Sequence, residues 1–214
     1  MIESVFPCPV YIIKRDLNLS PTQSLRLQQE EEIEIENIIE EGLLFNMGSN
    51  SNSISSYIFD TGLKKIKQFC EEQIKIYVEQ IICPVEENLD FYITQSWLNV
   101  NRPGESHYEH CHSNSIISGV FYISTEEDDS ITFIDPNYAV KDRILFKTKS
   151  SNIWNSEQWS FQSNINELIL FPSWLNHMVN PNPKATKDRL SISFNTFVRG
   201  TLGEITSKNK LILK

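Results

Sequence analysis

The 214 residues contain no apolar run long enough to cross a bilayer. They begin without the basic start and apolar stretch of a signal peptide; Glu3 and prolines at positions 7 and 9 stand there instead. Four cysteines, Cys8, Cys70, Cys83 and Cys111, are scattered with no CxxC pair, which excludes a disulfide scaffold and points to a reducing, cytoplasmic setting. Basic residues are outnumbered 19 to 28, for a net charge of -9. No lysine–arginine stripe with interleaved aromatics offsets that surplus, which argues against a nucleic-acid partner. No internal repeat is present. These absences leave neither a membrane nor a phosphate backbone as the expected partner.

A chain of this length is read as one domain, 1–214, able to bury its own core without metal or disulfides. Residues 1–85 read as a strand with supporting helices. An edge strand is expected over 5–13, where Pro7 and Pro9 disfavour a central position. A helix starts near Ser20 or Thr22, with apolar spacing irregular enough to suggest a break. Gly48 to Ser53 has few apolar anchors and reads as a surface loop. Leu63, Ile66, Phe69, Cys70, Ile74, Tyr77, Val78 and Ile81 recur at helical spacing, with Asp60 as a candidate cap and Cys83-Pro84 as the end. This helix should cover one face of a sheet.

Residues 90–200 read as a β-core. Strands are expected over Phe91–Val100, Ile116–Ser124, Ile131–Ile134, Ile144–Phe146, Trp159–Phe161, Asn166–Phe171 and Leu190–Val198, with a turn at Asn101 to Gly104. The end from Lys208 to Lys214 is a solvated tail or a last strand. Helices first and many short strands afterwards give an α+β class, with helices backing an antiparallel sandwich or open barrel.

Histidine is scarce, and its placement is informative. The only four are His107, His110, His112 and His177. Side chains alternate along a strand, so His110 and His112 share a face while Cys111 points away. A turn after Phe171-Pro172-Ser173-Trp174 could bring His177 to that pair. Three imidazoles on one side of an ion leave positions open for small molecules, and suit iron, zinc, copper or nickel. Surface histidines and a closed structural zinc site, with His107 or Glu109 as fourth ligand, are the competing readings. Arg189, Ser191, Ser193 and Asn195 alternate with Leu190, Ile192, Phe194 and Thr196. Such a strand is either exposed on one side or lines a polar interior. An arginine heading that face matches a carboxylate in a planar, two-pronged way.

Taken in order, Trp97-Leu98-Asn99, Gly104, His110-Cys111-His112, Ser118-Gly119-Val120-Phe121-Tyr122, Phe133-Ile134-Asp135-Pro136, Phe171-Pro172-Ser173-Trp174, His177 and Arg189 to Asn195 resemble the iron(II)- and 2-oxoglutarate-dependent oxygenases, in a branch known from bacterial and phage sequences. The resemblance implies a double-stranded β-helix, the jelly-roll or cupin-like core. It implies Fe(II) and 2-oxoglutarate as cofactor and cosubstrate, molecular oxygen, and hydroxylation of an unidentified small-molecule or protein substrate with release of succinate and carbon dioxide. His110, His112 and His177 would be the metal ligands, with His112 where the family usually has a carboxylate. His107-Tyr108-Glu109 with His177 is the competing frame. Arg189 would grip the remote carboxylate, helped by Ser191, Tyr122 and Asn99. Together His110, His112, His177 and Arg189 form the expected catalytic set. Tyr122 could instead only pack in the sheet, and Asn99 and Asn195 could be spent on strand hydrogen bonds. Trp97 leans to the core and Trp174 is open between core and pocket. The loops at Gly48–Ser53, Glu126–Ser130 and Asn180–Lys187 are expected to border the entrance. The alternatives are a metal-stabilised β-sandwich binding or assembly module, and a three-histidine cupin-like enzyme without 2-oxoglutarate. A homo-oligomer is compatible with either.

Overall fold

The structure is a computed structural model that describes residues 3, 5–46, 49–86, 88–138, 147–204 and 206–214. Its helices all precede the long strands in the chain. Helix α1 (Pro21–Glu41) opens on a capping box: the Ser20 hydroxyl accepts from Gln23 N, and the Gln23 side chain accepts from Ser20 N. The expected break is absent. Helix-favouring Gln and Glu carry the span past its irregular apolar spacing until Gly42, whose N–H bonds Ile39 O. Its inner face buries Glu31, Ile35 and Ile38, and Glu31 takes both arms of Arg15 at 2.8 and 2.7 Å.

Helix α2 (Ile58–Thr61) is a single turn, and α3 (Lys64–Tyr77) follows. Asp60 lies inside α2 and pairs with Lys67; it does not cap α3, which starts at Leu63 in a left-handed conformation (φ 56°). The helical path continues as a π-turn, Val78–Ile82, and stops at Cys83, also left-handed (φ 48°). Ile66, Phe69, Cys70, Ile74 and Tyr77 are the buried stripe of α3.

The strands are β1 (Tyr11–Lys14), β2 (Leu43–Phe45), β3 (Ser51–Ser53), β4 (Asp90–Asn101), β5 (His107–His110), β6 (Ile117–Ser124), β7 (Ser130–Ile134), β8 (Gln158–Gln162), β9 (Glu167–Pro172), β10 (His177–Val179), β11 (Arg189–Leu202) and β12 (Leu211–Leu213). The larger sheet runs β1-β9-β6-β11-β4-β3-β2, with β12 beside β11, and the smaller runs β5-β10-β7-β8. All strand pairs among the described residues are antiparallel. The arrangement is the α+β double-stranded β-helix that the resemblance implied.

Alternation explains how the layers separate. Leu98, Val100, Phe121, Leu168, Leu170, Ile192 and Phe194 face the helices in one core. Their neighbours Val120, Tyr122, Ile169 and Phe171 face the other way and meet Ile131 and Phe133 of the smaller sheet. Gly119 sits opposite Phe194 in the β6–β11 register, and a Cβ there would lie 2.2 Å from Phe194 Cζ. The position therefore has room only for hydrogen.

Four further expectations change. The edge strand is confined to Tyr11–Lys14, because residues 5–10 make no ladder. The supposed loop contains β3, whose Ser51 and Ser53 are buried by pairing between β2 and β4; short polar residues gave it no apolar signal. Leu43, assigned to the first helix, belongs to β2. His177 opens a strand rather than lying in a turn. The strand expected at Ile144–Phe146 and residue Gly48 lie outside the described residues. Among the described residues no helix is long and apolar enough to cross a membrane.

Candidate metal centre

His110 ends β5, His177 begins β10, and the two are directly paired across that ladder. His112 lies beyond the strand, held by its backbone N–H on Ser173 O at 2.9 Å. One nitrogen from each imidazole falls within 4.8 Å of those of the other two. Among the described residues this is the only such group of three or more histidines, cysteines or carboxylates. Cys111 between them is exposed. Glu109 is also exposed and accepts from Asn176 Nδ2 at 2.8 Å, outside the cluster. His107 faces the same cavity, 4.3 Å from His110 ring to ring, but is not one of the clustered three.

Each ring of the three is oriented by an oxygen at Nδ1. His110 Nδ1 meets Tyr108 O at 2.8 Å, His177 Nδ1 meets Leu175 O at 3.0 Å, and His112 Nδ1 meets Asn195 Oδ1 at 2.5 Å. An oxygen acceptor fixes the proton on Nδ1 and leaves the lone pair on Nε2. His112 Nε2 is buried with no hydrogen-bond partner. Burial lowers the pKa of all three; that of His177 falls to about 3, with His110 adding to the effect. They are therefore neutral at pH 7, as metal ligands must be. The Asn195 carbonyl also accepts from Ser118 Oγ at 2.9 Å, and Ser118 meets Ser173 at 2.8 Å. This chain of hydroxyls ties the metal-facing ring to the turn that precedes His177. Ser118 and Ser173 carry no signal in the sequence that marks them for this role.

Next to the trio, β4 and β11 contribute a polar wall: Asn99, Asn101, Arg189, Ser191 and Ser193 line one cavity with the histidines. Arg189 is 4% exposed. Its Nη1 lies 3.5 Å from Asp129 Oδ1, and Asp129 is itself buried, accepting from Glu126 N and Asn182 Nδ2. Asp129 carried no signal in the sequence, since it sits in an acidic loop that reads as solvated. Together Glu126–Asp129 and the Asn182–Lys187 loop are knitted around the arginine, with Thr186 donating to Glu126. Tyr122 is fully buried beside the cavity, and burial pushes its pKa up to about 12, against the pull of Ser163 and Arg189. Asn99 is occupied by protein partners: Oδ1 accepts from Trp97 Nε1 and Asn50 Nδ2, and Nδ2 donates to Ser193 Oγ at 2.8 Å. Trp97 is not simple core; it stacks on His112 at 5.9 Å and lines the cavity. Trp174 is 56% exposed.

These residues fit Fe(II) and a 2-oxo diacid on the chemistry of the donors alone. Three neutral imidazoles offer Nε2 lone pairs, one of them buried and unspent, and a buried guanidinium lies in the same cavity.

Residues 95–195, just under half of the chain, match the 2OG-Fe(II) oxygenase family. No curated protein matches the chain in sequence. Among solved structures, the non-heme alpha ketoglutarate dependent carbocyclase SnoK from nogalamycin biosynthesis superposes with a TM-score of 0.58 at 9% identity, covering 88% of this chain and 79% of its own. A 2OG-Fe(II) oxygenase family oxidoreductase from Burkholderia pseudomallei gives 0.53 at 8% identity, over 87% and 83%. A Pseudomonas putida prolyl-4-hydroxylase gives 0.50 at 15% identity, over 88% and 92%. Identities this low establish the shared fold. The family match adds Fe(II) and 2-oxoglutarate as the cofactor and cosubstrate that this family implies. The segment that holds His110, His112, His177 and Arg189 is thus the part of the chain that is similar to the 2OG-Fe(II) oxygenase family, and the fold around it is one that 2-oxoglutarate-dependent oxygenases share.

Proposed function

We propose that the protein is a 2-oxoglutarate-dependent dioxygenase that hydroxylates an as yet unidentified substrate, with His110, His112 and His177 as the iron ligands and Arg189 as the anchor for the cosubstrate. The observation that carries this reading is the pairing, in one cavity, of three Nε2 donors with a buried arginine. When bound, Fe(II) with 2-oxoglutarate and oxygen supplies the oxidising chemistry that yields succinate, carbon dioxide and a hydroxylated C–H position.

The chain's own residues do the rest. Tyr108 O, Leu175 O and Asn195 Oδ1 hold the three rings in one tautomer. Replacing the usual carboxylate by His112 leaves the ligand set uncharged, so the dianionic cosubstrate itself neutralises the divalent ion. Arg189 holds the remote carboxylate, and Ser191 and Tyr122 lie along the same wall. Val120, Ile131, Phe171 and Val179 supply the apolar part of the lining and limit water around the reacting atoms. Glu109 points to Asn176 and takes no part.

The test is succinate formation by metal-free protein supplied with Fe(II), oxygen, ascorbate and 2-oxoglutarate. Iron-dependent succinate that disappears in His177→Ala and Arg189→Ala supports the assignment. Succinate at the wild-type rate in either variant refutes the role given to that residue.

A further inference from the structure

Asn101 is the last residue of β4 and stands directly opposite Arg189, the first residue of β11. Directly paired residues on antiparallel strands project to the same face. Both line the cavity that holds the three imidazoles, and both are buried, at 5% and 4% exposure. Each keeps one donor without an acceptor: Asn101 Nδ2 and Arg189 Nη1. Asp129 balances the charge of the guanidinium, but at 3.5 Å it is too far to engage the Nη1 proton in a good hydrogen bond. Two buried, unspent N–H donors on directly paired residues are a costly arrangement, and one that an anionic oxygen pair would satisfy.

The neighbouring amide shows the contrast. Asn99, two residues back on the same face, is fully committed to Trp97, Asn50 and Ser193. Asn101 has no such commitments at Nδ2. Resting on the oxygenase reading above, we propose that Asn101 is the second donor to the remote carboxylate of the 2-oxo diacid, so that an arginine–asparagine pair, rather than Arg189 alone, selects a dicarboxylate. Asparagine suits this place because it donates without charge. It adds a hydrogen bond to the carboxylate and does not compete with Asp129 for the arginine. An aspartate here would repel the ligand and draw the guanidinium away from it.

The proposal is tested by anaerobic titration of 2-oxoglutarate into Fe(II)-loaded protein, read by the visible charge-transfer band rather than by turnover. The same titration is run with 2-oxobutyrate, which has the chelating head but no remote carboxylate. Asn101→Ala should weaken 2-oxoglutarate by about tenfold, the value of one hydrogen bond to a charged group. The near-isosteric Asn101→Asp should weaken it further. Affinity for 2-oxobutyrate and for Fe(II) should be unchanged in both. Wild-type affinity for 2-oxoglutarate in Asn101→Ala overturns the proposal, as does an equal loss for the two acids, which would mark a general structural effect. A wild-type protein with no band for 2-oxoglutarate overturns the oxygenase reading and the proposal together, and so separates that failure from the first.

Discussion

Replacing Asn195 by alanine should weaken metal binding without touching a ligand. Among the described residues, Asn195 Oδ1 is the acceptor of the His112 Nδ1 proton, at 2.5 Å. Its removal frees the ring to rotate and leaves a buried N–H with no partner. Ser118, which also donates to Asn195, keeps its contact with Ser173 at 2.8 Å, so the damage concentrates on His112. Loss of such an orienting partner typically costs 10–100-fold in metal affinity, or about 1.4–2.7 kcal/mol. Titration of Co(II) as a spectroscopic surrogate, and of Fe(II) without oxygen, should show that loss in Asn195→Ala. Asn195→Asp should retain binding, since a carboxylate accepts the same proton and makes the imidazole a stronger donor. If Asn195→Ala binds both ions as the wild type does while His177→Ala does not, His112 is not a ligand and the three-imidazole assignment fails.

Two further outcomes follow from the packing and the buried rings. Gly119→Ala should cost about 1–3 kcal/mol by forcing Phe194 out of place, seen as a fall of about 2–12 °C in Tm at about 2–4 °C per kcal/mol; an unchanged Tm would show that the Phe194 ring, 2.2 Å from the added methyl, yields freely. In the metal-free protein, burial holds His177 down to about 3 and His107 to about 4, with His110 and His112 also lowered. The unfolded chain takes up these protons near pH 6.5 and the folded chain does not, so stability present above 6.5 is lost as pH falls through the folded values. Urea midpoints should drop between pH 7.5 and 5, and less so in His177→Gln; equal midpoints for the wild type at the two values would contradict burial of the rings.

Much of the β-core was legible because strands with one buried face repeat every two residues. Phe91–Val100, Ile116–Ser124 and Leu190–Val198 alternate that way, and each corresponds to a strand within a few residues of the expected bounds. The amphipathic stripe of α3 was legible for the same local reason. The scarcity of histidine singles out residues 107, 110, 112 and 177 from the sequence alone. The polar face beginning at Arg189 could be read, but whether it faced water or an interior could not, since alternation names two faces without saying which one is covered.

Tertiary structure alone decided the rest. His177 meets His110 because β10 pairs with β5, a contact between residues 67 apart that no local pattern encodes. Ser51–Ser53 became a buried strand because neighbours on both sides saturate its backbone, although its side chains carry no apolar signal. Asn195 became the partner of His112, Asp129 the counter-charge of Arg189, and Asn101 the neighbour of that arginine through register and loop closure. Short polar side chains have no periodic signature of their own. The sequence determined which residues could bind and which strands could exist, because those follow from residue chemistry and local periodicity. Which polar groups are buried, paired or left unspent depends on contacts between distant segments, and only the folded chain decides it.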